Sequence, residues 1–239
     1  MWRILPVLKI IGTVFLLVAG LILAFFLYFN LPGPEPREDV SLGVTFSHRY
    51  AQDLGLDWQA AYIAILDELG VRKVRIPVYW DLVEKERGVY DFSAVDWQLE
   101  EAKKRNVEVI LTIGQRVPRW PECHIPTWVK EKESDMYREA RLLSFLETTV
   151  NRYKENGEIT TWQVENEAFL AFGICPPFRV EFLDEEIALV RKNDPSRPIL
   201  LTDSGELSTW YPAAKRGDIF GTTMYRKIHK PGVGYITYP

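Results

Sequence analysis

The segment Thr161-Trp162-Gln163-Val164-Glu165-Asn166-Glu167 gathers acid–base groups at what reads as the end of a β-strand. Alternate residues of a strand share a face, so Gln163, Glu165 and Glu167 are expected to project together, with Trp162 and Val164 on the other side. Lys73-Val74-Arg75-Ile76-Pro77-Val78 reads as a second strand, in which Val74, Ile76 and Val78 take one face and Lys73 and Arg75 the other. A guanidinium beside paired carboxyls holds one ionised while another keeps its proton, which is what general acid–base chemistry requires. Glu167, last on its strand, is a candidate catalytic carboxyl, against the plainer reading of a surface carboxylate in a loop. Other chemistries lack their parts. The three His (His48, His124, His229) and two Cys (Cys123, Cys175) show no ligand spacing, so no metal site is expected. No G-x-S-x-G elbow is present. GVTFSHRY stands where a dinucleotide-binding fold would carry its Gly-rich loop, and no cofactor is expected. A net charge of −4, with Lys and Arg scattered, offers no basic face to a nucleic acid. The oligomeric state is not readable.

These groups need a scaffold. From Ser41 the chain alternates β-rich and helical runs. Strands are expected at Leu42–Phe46, Arg72–Val78, Val107–Ile113, Ile159–Glu167, Ile199–Thr202 and Ile219–Tyr225. Helices are expected at Asp57–Leu69, Ser93–Arg105, Ser134–Lys154, Val180–Lys192 and Leu207–Ala214. Such alternation implies an α/β fold with a parallel sheet covered by helices. An open doubly wound sheet and a (β/α)8 TIM barrel compete. The long aromatic loops after strands favour the barrel, whose active sites occupy that face. Residues 41–239 fall short of the ~250 a barrel takes. Six βα units are counted, and Lys230 to Pro239 (KPGVGYITYP) reads as the opening of a further loop. The barrel is therefore expected to be incomplete, with both sheet edges unpaired and the isolated fragment insoluble or partly folded.

Ile10 to Phe29 is an apolar run broken only by Gly and Thr, as long as the ~20 residues a membrane-spanning helix needs. Arg3 and Lys9 precede it; Glu35, Arg37, Glu38 and Asp39 follow. The positive-inside rule puts residues 1–9 in the cytoplasm and the barrel outside. A cleaved signal peptide is the rival reading, but the run ends in Phe25-Phe26-Leu27-Tyr28-Phe29, too bulky for a small-x-small cleavage site. Residues 10–29 are thus expected to be a single-pass anchor. Residues 30–40, rich in Pro and charge, read as an extended spacer, and residues 41–239 as the barrel.

Three passages carry a resemblance: VRIPVYWDLVEKERGVYDFSAVDWQLEEAKKRNVEVILTIG, QRVPRWPE and TWQVENE. Together they resemble the clan A glycoside hydrolases, nearest to the family 5 cellulase-like and β-galactosidase-like TIM-barrel glycosidases. The resemblance implies a retaining glycosidase acting on a β-linked oligo- or polysaccharide. It makes Glu167 the general acid/base, Asn166 the ligand of the sugar 2-hydroxyl, and Arg75 and Tyr225 supports of a nucleophile. That nucleophile would be a Glu ending a seventh strand, beyond Pro239. Family 5 commonly has a His where Thr223 stands and another on the third strand, where Gly114-Gln115 occur. The rival of another class is a membrane-tethered, carbohydrate-binding pseudoenzyme.

Trp80, Trp120 and Trp210 follow expected strands, and their rings could stack on sugar faces or pack loop on loop. His48, after the first strand, and Gln115, after the third, are further candidates to line the site. Cys123 and Cys175 fall in loops that neighbour each other in a barrel, and export permits a disulfide between them.

Overall fold

The computed structural model describes residues 4–29, 40–205, 208–225, 227–230, 232 and 234–237. Two compact units divide at Val40/Ser41. The first contains helix α1 (Ile4–Phe29), in which Lys9–Tyr28 is long and apolar enough to cross a membrane. The expected cytoplasmic residues 1–3 and all but Val40 of the expected spacer lie outside the described residues.

The second unit is a six-stranded parallel sheet: β1 (Val44–Thr45), β2 (Lys73–Pro77), β3 (Glu108–Ile113), β4 (Ile159–Val164), β5 (Ile199–Asp203) and β6 (Ile219–Thr222), hydrogen-bonded in that order. Neighbours in sequence are neighbours in space, which is the order of a (β/α) barrel wall and excludes a doubly wound sheet. α3 (Trp58–Asp67), α5 (Ser93–Lys104), α7 (Asp135–Tyr153) and α8 (Val180–Asn193) supply the helix layer. The face of the sheet toward them is apolar. Val74, Ile76, Val109, Leu111, Trp162, Val164, Ile199 and Leu201 join Leu66, Leu99, Leu142, Phe145, Leu183 and Val190 in one core. Trp162 is wholly buried, and its indole N–H donates to Asp194 at 2.9 Å, so the largest ring in the wall leaves no polar atom unsatisfied.

Helix boundaries follow local capping. Asp57 accepts from the amides of Gln59 (3.0 Å) and Ala60 (3.1 Å) to open α3. Ser134 opens α7 in the same way, through the amide of Tyr137. Replacing Asp57 by Ala should cost about 1 kcal/mol, read as a lower denaturation midpoint at constant slope. Ser93 is the first residue of α5, as expected, and its amide is held by Asp91 at 3.0 Å. Four short helices went unpredicted or were misplaced because each has too few turns to show a period: α2 (His48–Asp53), α4 (Trp80–Val83), α6 (Thr127–Lys130) and α9 (Tyr211–Ala214). Within Lys230 to Pro239, expected to open a loop, a strand forms instead: β8 (Gly234–Thr237) pairs antiparallel with β7 (Lys227–Lys230).

Candidate active site

The inner face of the sheet is polar and internally satisfied. Gln163 on β4, fully buried, is its hub. Its carbonyl accepts from Arg75 Nη1 (3.1 Å) and from the Thr112 hydroxyl (3.2 Å). Its amide donates to Thr202 Oγ1 (3.2 Å), the Glu165 carbonyl (3.0 Å) and Asn166 Oδ1 (3.3 Å). Arg75 Nε reaches Thr45 at 2.9 Å, so one network ties β1 through β5. Burying these groups without partners would cost several kcal/mol; here each strand from β1 to β5 contributes one.

β4 stops at Val164, three residues earlier than expected, and the chain then leaves the extended region. Glu165 (φ 56°) and Glu167 (φ 49°) both take the left-handed conformation, which side chains with a Cβ adopt only under constraint. The constraints are visible: the amides of Glu165, Asn166 and Glu167 donate to Ile113 O (2.9 Å), Arg116 O (2.8 Å) and Thr202 Oγ1 (3.0 Å). The turn corrects the expected shared face. Glu165 swings into the space between the β3 loop and α8, where its carboxylate accepts from the amides of Gln115 (2.8 Å) and Arg116 (2.7 Å). Asn166 and Glu167 turn into an open cleft.

That cleft, about 460 Å³, lies where the strands' C-terminal ends meet and is lined by Arg75, Arg119, Glu122, Asn166, Glu167 and Tyr225, among others. Burial raises Glu167 above the usual carboxylate range, and the charge of Asp203 adds to this. A hydrogen bond from Thr223 and the charges of Arg116 and Arg75 oppose the shift without cancelling it. Its Oε1 is buried and accepts no protein hydrogen bond. Such a carboxyl keeps its proton to higher pH than an exposed one does, which suits a proton donor.

Arg75, Asn166, Glu167 and Tyr225 are thus brought to one cleft, Tyr225 from just past β6. Trp120 is 62% exposed and meets Phe172, itself a cleft residue, edge to face at 6.1 Å. Trp210 is partly exposed, with its indole N–H on Ser204 O (3.0 Å). Three residues depart from expectation. Trp80 is core, not rim: it opens α4, stacks on Phe145 at 5.6 Å and donates to Glu84 at 2.7 Å. His48 opens α2, is folded down between Trp58 (5.5 Å) and Tyr79 (5.4 Å), and is lowered to about 4 by burial, so it is a neutral packing group away from the cleft. Gln115 faces a small chamber beside Glu165. Cys123 and Cys175 are joined, with Cα atoms 5.2 Å apart. Clusters of His, Cys, Asp and Glu able to hold a metal ion do not occur among the described residues. Sequence reasoning missed Glu122, whose carboxyl is raised by burial and hydrogen-bonded to Asn166. Its signal was weak: a charge placed between Pro121 and the bridged Cys123.

Residues 77–178 match the model of glycosyl hydrolase family 10. A β-galactosidase, BgaA of Clostridium cellulovorans, is 25% identical over 127 residues, covering 43% of this chain and 18% of that protein. Among solved structures, a catalytic mutant of Gan42B, a GH42 β-galactosidase from G. stearothermophilus, matches with TM-score 0.62 at 14% identity over 81% of this chain and 41% of that one. A GH5_18 protein from Streptomyces cattleya in complex with Manb1-4GlcNAc matches with TM-score 0.59 at 15% identity, covering 77% and 51%. The chain therefore spans well under two thirds of these relatives' length. Its fold is a partial TIM barrel of the kind the clan A glycoside hydrolases share.

Proposed function

We propose, from this likeness to the clan A glycoside hydrolases, that the chain carries the acid/base side of a retaining glycosidase for β-linked oligo- or polysaccharides. The observation that supports it best is the Glu167 carboxyl, half-buried with a raised pKa, in a cleft shared with Asn166, Arg75 and Tyr225. In this reading Glu167 protonates the departing glycosidic oxygen, then takes a proton from the water that releases the glycosyl-enzyme. Asn166 binds the 2-hydroxyl of the sugar in the cleft. Arg75 and Tyr225 orient and keep ionised the attacking carboxylate, which retaining enzymes hold about 5–5.5 Å from the acid. We assign that carboxylate to the barrel strand that follows β6, not to the hairpin strands β7 and β8. Trp120 and Phe172 offer ring faces at the rim to a further sugar unit. Helix α1 tethers the barrel to a membrane, with the barrel on the extracytoplasmic side; the Cys123–Cys175 bridge suits an oxidising compartment.

The test follows the anomeric proton of the product by NMR while the full-length protein acts on β-linked oligosaccharides. The β-anomer should appear first and mutarotate later. First appearance of the α-anomer overturns retention. Saturable binding of the sugar with no cleavage replaces the enzyme by the carbohydrate-binding pseudoenzyme.

A further inference from the structure

Glu165 and Glu186 form a carboxyl pair on the helix side of the turn that carries Asn166 and Glu167. Both are nearly inaccessible, Glu186 at 2% exposure. Glu186 reaches Glu165 from the middle of α8 through a hydrogen bond. Glu165 already accepts two backbone amides from the β3 loop, which favour its charged form. Glu186 Oε1 has no protein partner, tolerable for a neutral carbonyl but not for a buried charge. The chamber they border, about 30 Å³, holds room for about one water molecule. Gly114 shows how close the fit is: a Cβ there would sit 2.4 Å from Glu165 Oε1.

The cations around the pair are committed elsewhere. Arg138 on α7 pairs with Asp135 and faces Glu139, and Arg179, just before α8, pairs with Glu139 at 2.7 Å. Arg116 in the β3 loop donates to Phe172 O at 2.8 Å. Among the described residues no ion pair reaches Glu165 or Glu186. The charges of Arg116 and Arg138 act on Glu165 and Glu186 through space and lower each, but burial outweighs them. Two carboxylates in contact and out of water, with no cation bonded to either, cannot both ionise near neutral pH.

We propose that Glu165 and Glu186 share one proton, with Glu186 as the donor, and that the pair is the positioning device that locks the acid/base turn to the β3 loop. Ionised Glu165 clamps the amides of Gln115 and Arg116, whose segment leads on to Arg119 and Glu122, while Glu186 fastens the clamp to α8. The functional half of the inference rests on the assignment of Glu167 as acid/base; the structural half does not.

Burial raises Glu165, and raises Glu186 further. A group raised in the folded state stabilises fully below its unfolded pKa, and that stability is lost as pH rises through the folded value. The pair's contribution should therefore fade upward from the ordinary carboxylate range.

Infrared spectra of the full-length protein in detergent micelles at neutral pH should show a protonated-carboxyl stretch that shifts in D₂O and is lost in Glu186→Gln. An identical band in wild type and E186Q overturns the shared proton. Melting temperature should fall more steeply with rising pH in wild type than in E186Q, whose amide donates at every pH; equal slopes overturn it too. Glu165→Gln turns an NH₂ group toward a backbone donor and should lower kcat roughly tenfold to a hundredfold with KM within about twofold. Unchanged kcat in E165Q overturns the positioning role. Should wild type hydrolyse no glycoside, the glycosidase reading fails alone, and the infrared and melting results still decide the pair.

Discussion

Glu167→Gln should lower kcat by about 10²–10⁴-fold on glycosides whose leaving oxygen must be protonated as it departs. The substitution keeps the side chain's size and its fit beside Thr223, while removing its transferable proton from the cleft at the strand ends. Substrates with acidic phenols as leaving groups need no such proton in the first step and should retain more of their glycosylation rate. Comparing the two substrate classes in wild type and mutant isolates the acid role from any general damage. The pH profile gives a second view. The acid works while protonated, and burial has lifted its pKa above the usual carboxylate range, so activity should fall as pH rises through that lifted value. This alkaline limb should vanish in the mutant. Equal loss on both substrate classes, or an unchanged limb, would remove Glu167 from proton transfer.

Losing the Cys123–Cys175 bridge is expected to be the largest single blow to stability. It closes a loop of sequence separation 52, for which the chain-entropy estimate is about 4 kcal/mol. In a domain of this size that corresponds to a fall in Tm of roughly 10 °C. Calorimetry of the C123S/C175S double mutant, against wild type with and without reductant, measures it. Function should suffer as well, because the bridge joins the two loops that frame the cleft. Glu122 precedes Cys123, and Gly173, two residues before Cys175, approaches Glu122 so closely that a Cβ there would stand 2.7 Å from it. An unchanged melt in the double mutant would show that packing alone fixes these loops.

What was legible in the residues and what was not divide along one line. Periodicity and caps are local, and the long elements came out at or near their expected places: α3 from Asp57, α7 from Ser134, β2 and β3 within two residues at each end. The polar run along β4 also identified the cleft wall correctly, since Gln163 does face Arg75. The alternation rule failed at the end of that strand. It assumes that extended geometry continues, and nothing in Glu165-Asn166-Glu167 itself announces a left-handed turn. Amides donating to Ile113, Arg116 and Thr202, on neighbouring strands and loops, impose it. Trp80 was misplaced for a related reason. In sequence it stands in a loop, and only the packing of α4 beneath α7 gives its ring a partner in Phe145.

The sequence by itself determined the order of the six parallel strands and the long helices between them, the apolar span of α1, and the carboxyl-bearing run that follows β4. All of these depend on residue type and spacing within one segment. Tertiary structure alone decided that Glu165 leaves the cleft to meet Glu186, that Glu122 enters it, and that His48 and Trp80 are packing residues. Each of those outcomes is set by contacts between segments far apart in the chain, where burial and hydrogen-bond satisfaction outweigh any local preference.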